Sequence, residues 1–542
     1  MNKVRIALLV AGLCISAVFG FYNFFLLLNS TAAEAQASEY PATLDGTDVS
    51  AFGVRYDVKL AAGMISAGSN KFRATSATVF SSADVGKDII VYSRGNGPMK
   101  RMTRGNVWTG CIGHVDTPAI IAIGSWVGNS CVPSTSSFPA LTDMYFILYG
   151  TDNTAALQSA IEHGGNDILD LKGSVMIKNS ILFFHKTGKF EGMGPEGNLT
   201  TATPSGSNII WAGPAGIPMI KLRADVLMTI TNVHLVGNGN PAHRPSAFFD
   251  LAQEMRPPYA GLTSMDSFIN ISNDPAGQPG QGPFADTGVY FDDQKPENDV
   301  HMFYSLRLFN LASTCVDDEN QQSIAMDFKD FYCANTPVAW YAPHGGQEDF
   351  TGVFTASNVG QVFHQGRFNR AAVDDLEVTN TSRAEAGYSQ LAYFESNKFS
   401  AGGGQLIVYK GRYELSSNIP THTVTVLGHR LTPYTVIDTD NSTISVIDLQ
   451  NFSFLGSSNL PLANANWFFN LTPDPLRNNI YLRCYQCSGL SAQSLSRIRS
   501  GTNPSSMDIV EIKQMSPTLI YTRQLLTGGR PFIPSLRTLR PF

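Results

Sequence analysis

Charge is the scarcest property of this sequence. Only 15% of its 542 residues are Asp, Glu, Lys or Arg, and no long basic run occurs. With a formal net charge of −6, the chain lacks the cationic surface that phosphate recognition demands, so nucleic acid is excluded as a partner. What the chain has instead is 48 glycines, abundant Asn, Ser and Thr, and a hydrophobic content of 43%. That is enough apolar material for a sizeable core. Such turn-rich composition excludes a helical bundle and a disordered chain and predicts a β protein.

The N-terminus points out of the cytoplasm. Lys3 and Arg5 precede an apolar stretch from Ile6 to Leu28, and Ala35-Gln36-Ala37 offers small residues to a signal peptidase. The reading is a signal peptide over residues 1–37. The alternative is an uncleaved anchor, because the run is long enough to span a bilayer. Cys14 lies in that segment; the remaining six cysteines are an even number, which in an exported chain predicts disulfides. Cys111 with Cys131 and Cys484 with Cys487 are the local pairs, leaving Cys315 with Cys333. No second ligand pair flanks the Cys-Tyr-Gln-Cys run, so a disulfide is expected there rather than zinc.

Two separated pieces carry the fold. The first is Asp48-Val49-Ser50-Ala51-Phe52-Gly53-Val54-Arg55-Tyr56-Asp57, and the second is Thr151-Asp152-Asn153-Thr154-Ala155-Ala156-Leu157-Gln158-Ser159-Ala160-Ile161. In the second piece Asp152 or Thr154 can cap a helix whose apolar face holds Ala156, Leu157, Ala160 and Ile161. Joined, the pieces resemble the N-terminal signature of the pectate-lyase-like superfamily, with Val54, Tyr56 and Asn153 as departures. The resemblance implies a right-handed parallel β-helix whose open end this element caps. It speaks to fold rather than to catalysis. The cap is read as residues 38–57 and 150–174. Between its halves, residues 58–149 read as an inserted small β module, placed to bind substrate or to shield the end of the β-helix.

Repeats give the same all-β solenoid from the residues alone. Asn310, Asn335, Asn358 and Asn380 close short apolar strands at intervals of 25, 23 and 22 residues. One coil of a β-helix needs about that length, and Asn suits its turns because it accepts the left-handed conformation and stacks its amides. The solenoid is expected over 175–460, followed by C-terminal strands and a tail over 461–542. The stretch Pro241–Pro283, with His243 and Arg244, reads as an excursion loop, and His234 as part of the preceding turn.

Residues one period apart become neighbours at roughly strand spacing, about 4.8 Å. The acidic candidates are Asp292 and Asp293 on one coil and Asp317, Asp318 and Glu319 on the next. Aromatic, His and Arg candidates follow in Trp340, Tyr341, His344, His364 and Arg367. Paired carboxylates serve glycoside cleavage and aromatic faces hold sugar rings. An Asp-Asp pair in a turn is ordinarily structural, but two pairs on successive coils place like charges close together at a cost. The expectation is that Asp317 or Asp318 is the general acid, with Asp292 or Asp293 as its partner. The others would bind substrate. Asp317-Asp318, then His344-Gly345-Gly346, then Arg367 also faintly resemble the order of the polygalacturonase motifs, although Gly-His-Gly is not intact and no Lys follows Arg367. Asp374, Asp375 and Glu377 form a further acidic cluster, read as a solvated edge with calcium binding as the alternative.

The leading expectation is a secreted polysaccharide hydrolase without a cofactor. The first alternative is a polysaccharide lyase or uronate epimerase, for which Ca2+ would be the cation. The second is a surface protein that only binds glycan. The substrate is a polysaccharide, acidic or neutral, and the assembly a monomer or a homotrimer. Export counts against a phage tailspike.

Overall fold

The computed structural model describes residues 46–526 except 67, 94–107, 135–144, 165–167, 195–203, 224–225, 253–264, 275–281, 293–300, 321–322, 324, 367–368, 380–389, 395–403, 415–423, 427–428, 432–435, 443, 456–468, 474–478, 491–497, 500–507 and 515–519. The leader or anchor expected over residues 1–37 lies outside them. So do Asp293, Arg367 and Asn380. No described helix is long and apolar enough to cross a membrane.

The chain is a parallel β-helix. Eleven described strands, from Ile181–Phe184 through Thr314–Asp318 to Ile498–Arg499, pair in parallel, each with the strand one coil on. A second, longer parallel sheet is kinked along its length. Its strand Met302–Phe309 pairs with Met326–Lys329 by one half and with Tyr332–Ala334 by the other. The kink is a row of left-handed residues, Asn232, Asn270, Ser305 and Asp330 at φ 53–58° and Gly352 at φ 70°. Asn270 Nδ2 donates to Asn232 Oδ1 at 2.7 Å. The corner between the two sheets carries a second row, in which Asn310, Asn335 and Asn358 have φ of 52–54°. Asn358 Nδ2 donates to Asn335 Oδ1 at 3.1 Å, and each backbone N–H bonds the next coil. Asn accepts the left-handed conformation and can bond its amide to the Asn of the neighbouring coil, which is why it recurs there.

The interior is stacked as regularly as the backbone. Phe268, Phe303, Phe328 and Phe350 lie in register, their rings nearly parallel at 4.5–5.3 Å. Opposite them runs the buried row Val289, Val316, Trp340, Phe363 and Ala392. Trp340 meets Phe328 and Phe350 edge-on at 5.0 and 5.1 Å, a favoured quadrupole geometry.

Parallel pairing begins at Thr47–Asp48, against Ile168–Leu171, and continues to Asp508–Gln514. The coils therefore start before residue 175 and run well past 460. The chain then turns back, and Ile520–Leu526 closes the edge antiparallel. The stretch from Pro241 to Pro283 also differs from its expected loop, since it contains strands Ala247–Ala252 and Met265–Ser272. Its Pro and Gly residues concealed two short apolar runs.

The helix Thr154–His163 buries Leu157, Ala160 and Ile161 against the first coils. Asp152 Oδ1 accepts from Thr154 N at 2.9 Å. Asn153, a departure from the signature, holds its two halves together. Its Oδ1 accepts from Arg55 N at 2.7 Å and its Nδ2 donates to Arg55 O at 3.0 Å. Asp57 likewise accepts from the N–H and hydroxyl of Thr151. The residues between fold as a seven-stranded antiparallel sheet. One face encloses Ile89, Val91, Ile147 and Tyr149; the alternate residues Ile90, Tyr92 and Leu148 pack on Met176, Ile210 and Val236 of the β-helix.

All three expected disulfides are present, Cys111–Cys131, Cys315–Cys333 and Cys484–Cys487. They fit an extracellular compartment.

Candidate active site

Strands of the eleven-stranded sheet share a side-chain order in which two consecutive residues point into the core. In Thr314–Asp318 these are Cys315 and Val316, and in Val338–Ala342 they are Ala339 and Trp340. The following residue stands on the opposite face. In register, those residues form the row Asp250, Tyr290, Asp317, Tyr341, His364, Tyr393 and Asp438. Beside it runs a second row containing Thr287, Thr314, Gln361 and Gln390. Thr287 and Thr314 share a hydroxyl hydrogen bond of 3.0 Å, and Gln361 Nε2 donates to Gln390 Oε1 at 2.9 Å. His364 bridges the rows, its Nδ1–H donating to Gln361 Oε1 at 2.9 Å. Its ring is held edge-on between Tyr341 at 4.7 Å and Tyr393 at 4.9 Å.

Asp317 stands between Tyr290 and Tyr341 on the neighbouring coils. Its Oδ1 is buried and receives no hydrogen bond. Burial first, then the negative charges of Glu319 and Asp318, push its carboxyl well above the ordinary range. The setting favours the protonated form of the acid.

The two residues after Asp317 have separate tasks. Glu319 Oε2 meets His344 Nε2 of the next coil at 3.1 Å, with both side chains partly exposed. Asp318 is fully buried. Its Oδ1 accepts from Asn320 N at 3.0 Å and Ser323 Oγ at 2.8 Å. Its Oδ2 faces Glu348, equally buried, whose Oε2 accepts from Asn369 Nδ2 at 2.8 Å. Desolvation pushes both carboxyls up.

The candidates thus divide. Asp317, Glu319, Tyr341 and His344 come together on or beside the sheet face; His364 shares their row but is fully buried, so the substrate contact expected for it is not open to it. Asp292 follows the end of strand Thr287–Phe291, and its backbone oxygen accepts from Asn320 Nδ2 at 3.0 Å. Asp318 is drawn inward, away from any substrate. Trp340 is fully buried among phenylalanines and cannot stack on a sugar as expected, whereas Tyr341, the next residue, is partly exposed. Glu348 and the tyrosines Tyr290 and Tyr393 complete the arrangement. Tyr290 and Tyr393 occupy the register position of Asp317, a signal that strand alignment in the sequence contained.

Other clusters do different work. Asp375 pairs with Lys410, and Glu377 with Arg412 at 3.3 Å, so these carboxylates are rungs of an ionic ladder. Among the described residues no group of three or more His, Cys, Asp and Glu is placed to hold a metal. His234 is an interior residue, its Nδ1 2.8 Å from Asn208 Oδ1, and burial lowers it to about 4.

No family model and no curated protein matches the chain. Among solved structures it is similar to the catalytic domain of a GH87 alpha-1,3-glucanase in complex with nigerose. That likeness has 10% identity and a TM-score of 0.39, covering 79% of this chain and 80% of that one. It is also similar to the tailspike protein gp49 from Pseudomonas phage LKA1, at 10% identity and a TM-score of 0.29, covering 84% of this chain and 67% of that one. At these levels neither likeness lends this chain an activity or a residue role, and the functional reading rests on its own side chains.

Proposed function

We propose that this protein is a polysaccharide-cleaving glycoside hydrolase with Asp317 as its general acid. The observation that carries the reading is the setting of Asp317, a carboxyl with one buried, unbonded oxygen standing between two tyrosines on stacked coils. In that setting the group keeps its proton near neutral pH and can deliver it to a glycosidic oxygen as the bond breaks. The tyrosines offer apolar faces with a polar tip, which suits a sugar ring.

A partner carboxylate must stabilise the oxocarbenium-like charge or activate water. Asp292 lies one coil back and two residues further along, which sets the two backbones roughly 8 Å apart at ordinary strand spacing. Glu319, two residues on from Asp317, lies at a similar separation and is oriented by His344. Spacings of this order leave room for a water between the carboxyls, which is the arrangement of an inverting enzyme.

The test is a screen of purified protein against neutral and acidic polysaccharides, reading reducing ends and unsaturated-uronate absorbance together. Reducing ends without the absorbance support the hydrolase. Unsaturated products would make it a lyase, and binding with neither signal would leave a glycan-binding protein.

A further inference from the structure

Two oxygens in this structure have no partner except each other. Asp318 Oδ2 and Glu348 Oε1 are buried and receive no N–H or hydroxyl. Their sister oxygens are already engaged, Asp318 Oδ1 by Asn320 and Ser323 and Glu348 Oε2 by Asn369. Both unpartnered oxygens crowd the same point. A Cβ on Gly346 would lie 2.1 Å from Glu348 Oε1 and 2.9 Å from Asp318 Oδ2. Gly346 at φ 107° therefore has no space for a side chain. Two ionised carboxylates cannot sit so close in a buried place, whereas a carboxylic acid donating to a carboxylate can.

We propose that Asp318 and Glu348 share one proton and act as a positioning pair for the site. The acid bridge ties the end of strand Thr314–Asp318 to the start of strand Gln347–Ser357. It thereby fixes the two residues flanking Asp318, with Asp317 on the sheet face and Glu319 against His344. Around the pair, Asp317 and Glu319 on the same coil and Asp349 beside Glu348 are all acidic. Arg370 is committed to Asp349 at 3.0 Å, and Gln365 bonds Asn369 behind the pair. The surrounding charge thus favours retention of the proton. The inference deepens the hydrolase reading, but its test uses no activity, so either can fail alone.

The sign of the pH dependence follows from the raised carboxyls. The folded protein keeps a proton that the unfolded chain releases near pH 4, so stability falls as pH rises from there toward about 7. Melting of the wild type between pH 5 and 8 should show a loss of about 2–3 °C. Glu348→Gln supplies a permanent N–H in place of the shared proton and should flatten that loss. Asp318→Asn should do the same and stands in if the first variant does not fold. The infrared difference between wild type and either variant at pH 6 should contain the carbonyl band of a protonated acid. A wild-type difference spectrum without that band would overturn the proposal. So would a melting point that drops with chelator, which would put a cation between the oxygens.

Discussion

The two parallel sheets treat their carboxylates differently. On the long, kinked sheet several acidic side chains find a cation one coil away, as in Asp349–Arg370, Asp375–Lys410, Glu377–Arg412 and Asp448–Arg483. On the eleven-stranded sheet Asp250 is matched in that way by Arg223 at 2.7 Å, but Asp317 has tyrosines on both neighbouring coils. A stacked carboxylate here meets either a cation of the next coil or, as with Asp170 beside Glu191 and Asp327 beside Asp349, another acid; Asp317 meets neither on its neighbouring coils and stands between tyrosines at a cost in desolvation. A costly carboxyl in an aromatic setting is how acid catalysts are made, whereas the ionic ladders keep coils in register and do little more.

Substitutions on either sheet put that contrast to the test. The largest effect is expected from Asp317→Asn, which should cut glycan cleavage by about 10²–10⁴-fold. The same variant should melt no lower than wild type above pH 7, because it removes a carboxyl that burial makes costly to ionise; a matching loss of stability would make Asp317 structural. Next comes the strand beneath it. Replacing Cys315 and Cys333 by Ser opens a loop spanning 18 residues and should cost about 3 kcal/mol in chemical denaturation. The corner turns rank third. Asn335→Ala should cost about 1–2 kcal/mol and Asn335→Gly less, since only the first forces an unsuited residue into φ 53°. The smallest effect belongs to the ladder itself. Arg483→Gln should change stability by about 1 kcal/mol or less, shrinking further in high salt, with cleavage untouched.

Much of the architecture was legible because it depends on local chemistry. Asn310, Asn335 and Asn358 announce left-handed turns by residue type and spacing, and the split cap carries its own helix signal. The limits of the solenoid were harder to see, because later coils such as Asn479–Cys487 close without Asn at the same spacing. The site was half legible. Asp317 and Glu319 could be picked out as acids on an outward coil, but Asp318 and Trp340 could not be sorted by simple alternation. Two inward residues in succession, Ala339 and Trp340, shift the parity of the strand, so an aromatic that looks outward fills the core. Glu348 gave no signal of its own. The only hint lay in Gly345-Gly346, a bare backbone stretch where a neighbour needs the space.

Thr151 N lies 3.0 Å from Asp57 Oδ1, so the chain leaves the cap and returns to it at almost the same point. The insertion is thus a detour with closed ends, and its length could change at a cost that grows only logarithmically. This junction is accordingly a graft point. A short turn joining Asp57 to Thr151 would spare the cap, provided that Met176, Ile210 and Val236 received a polar resurfacing where the seven-stranded sheet now covers them.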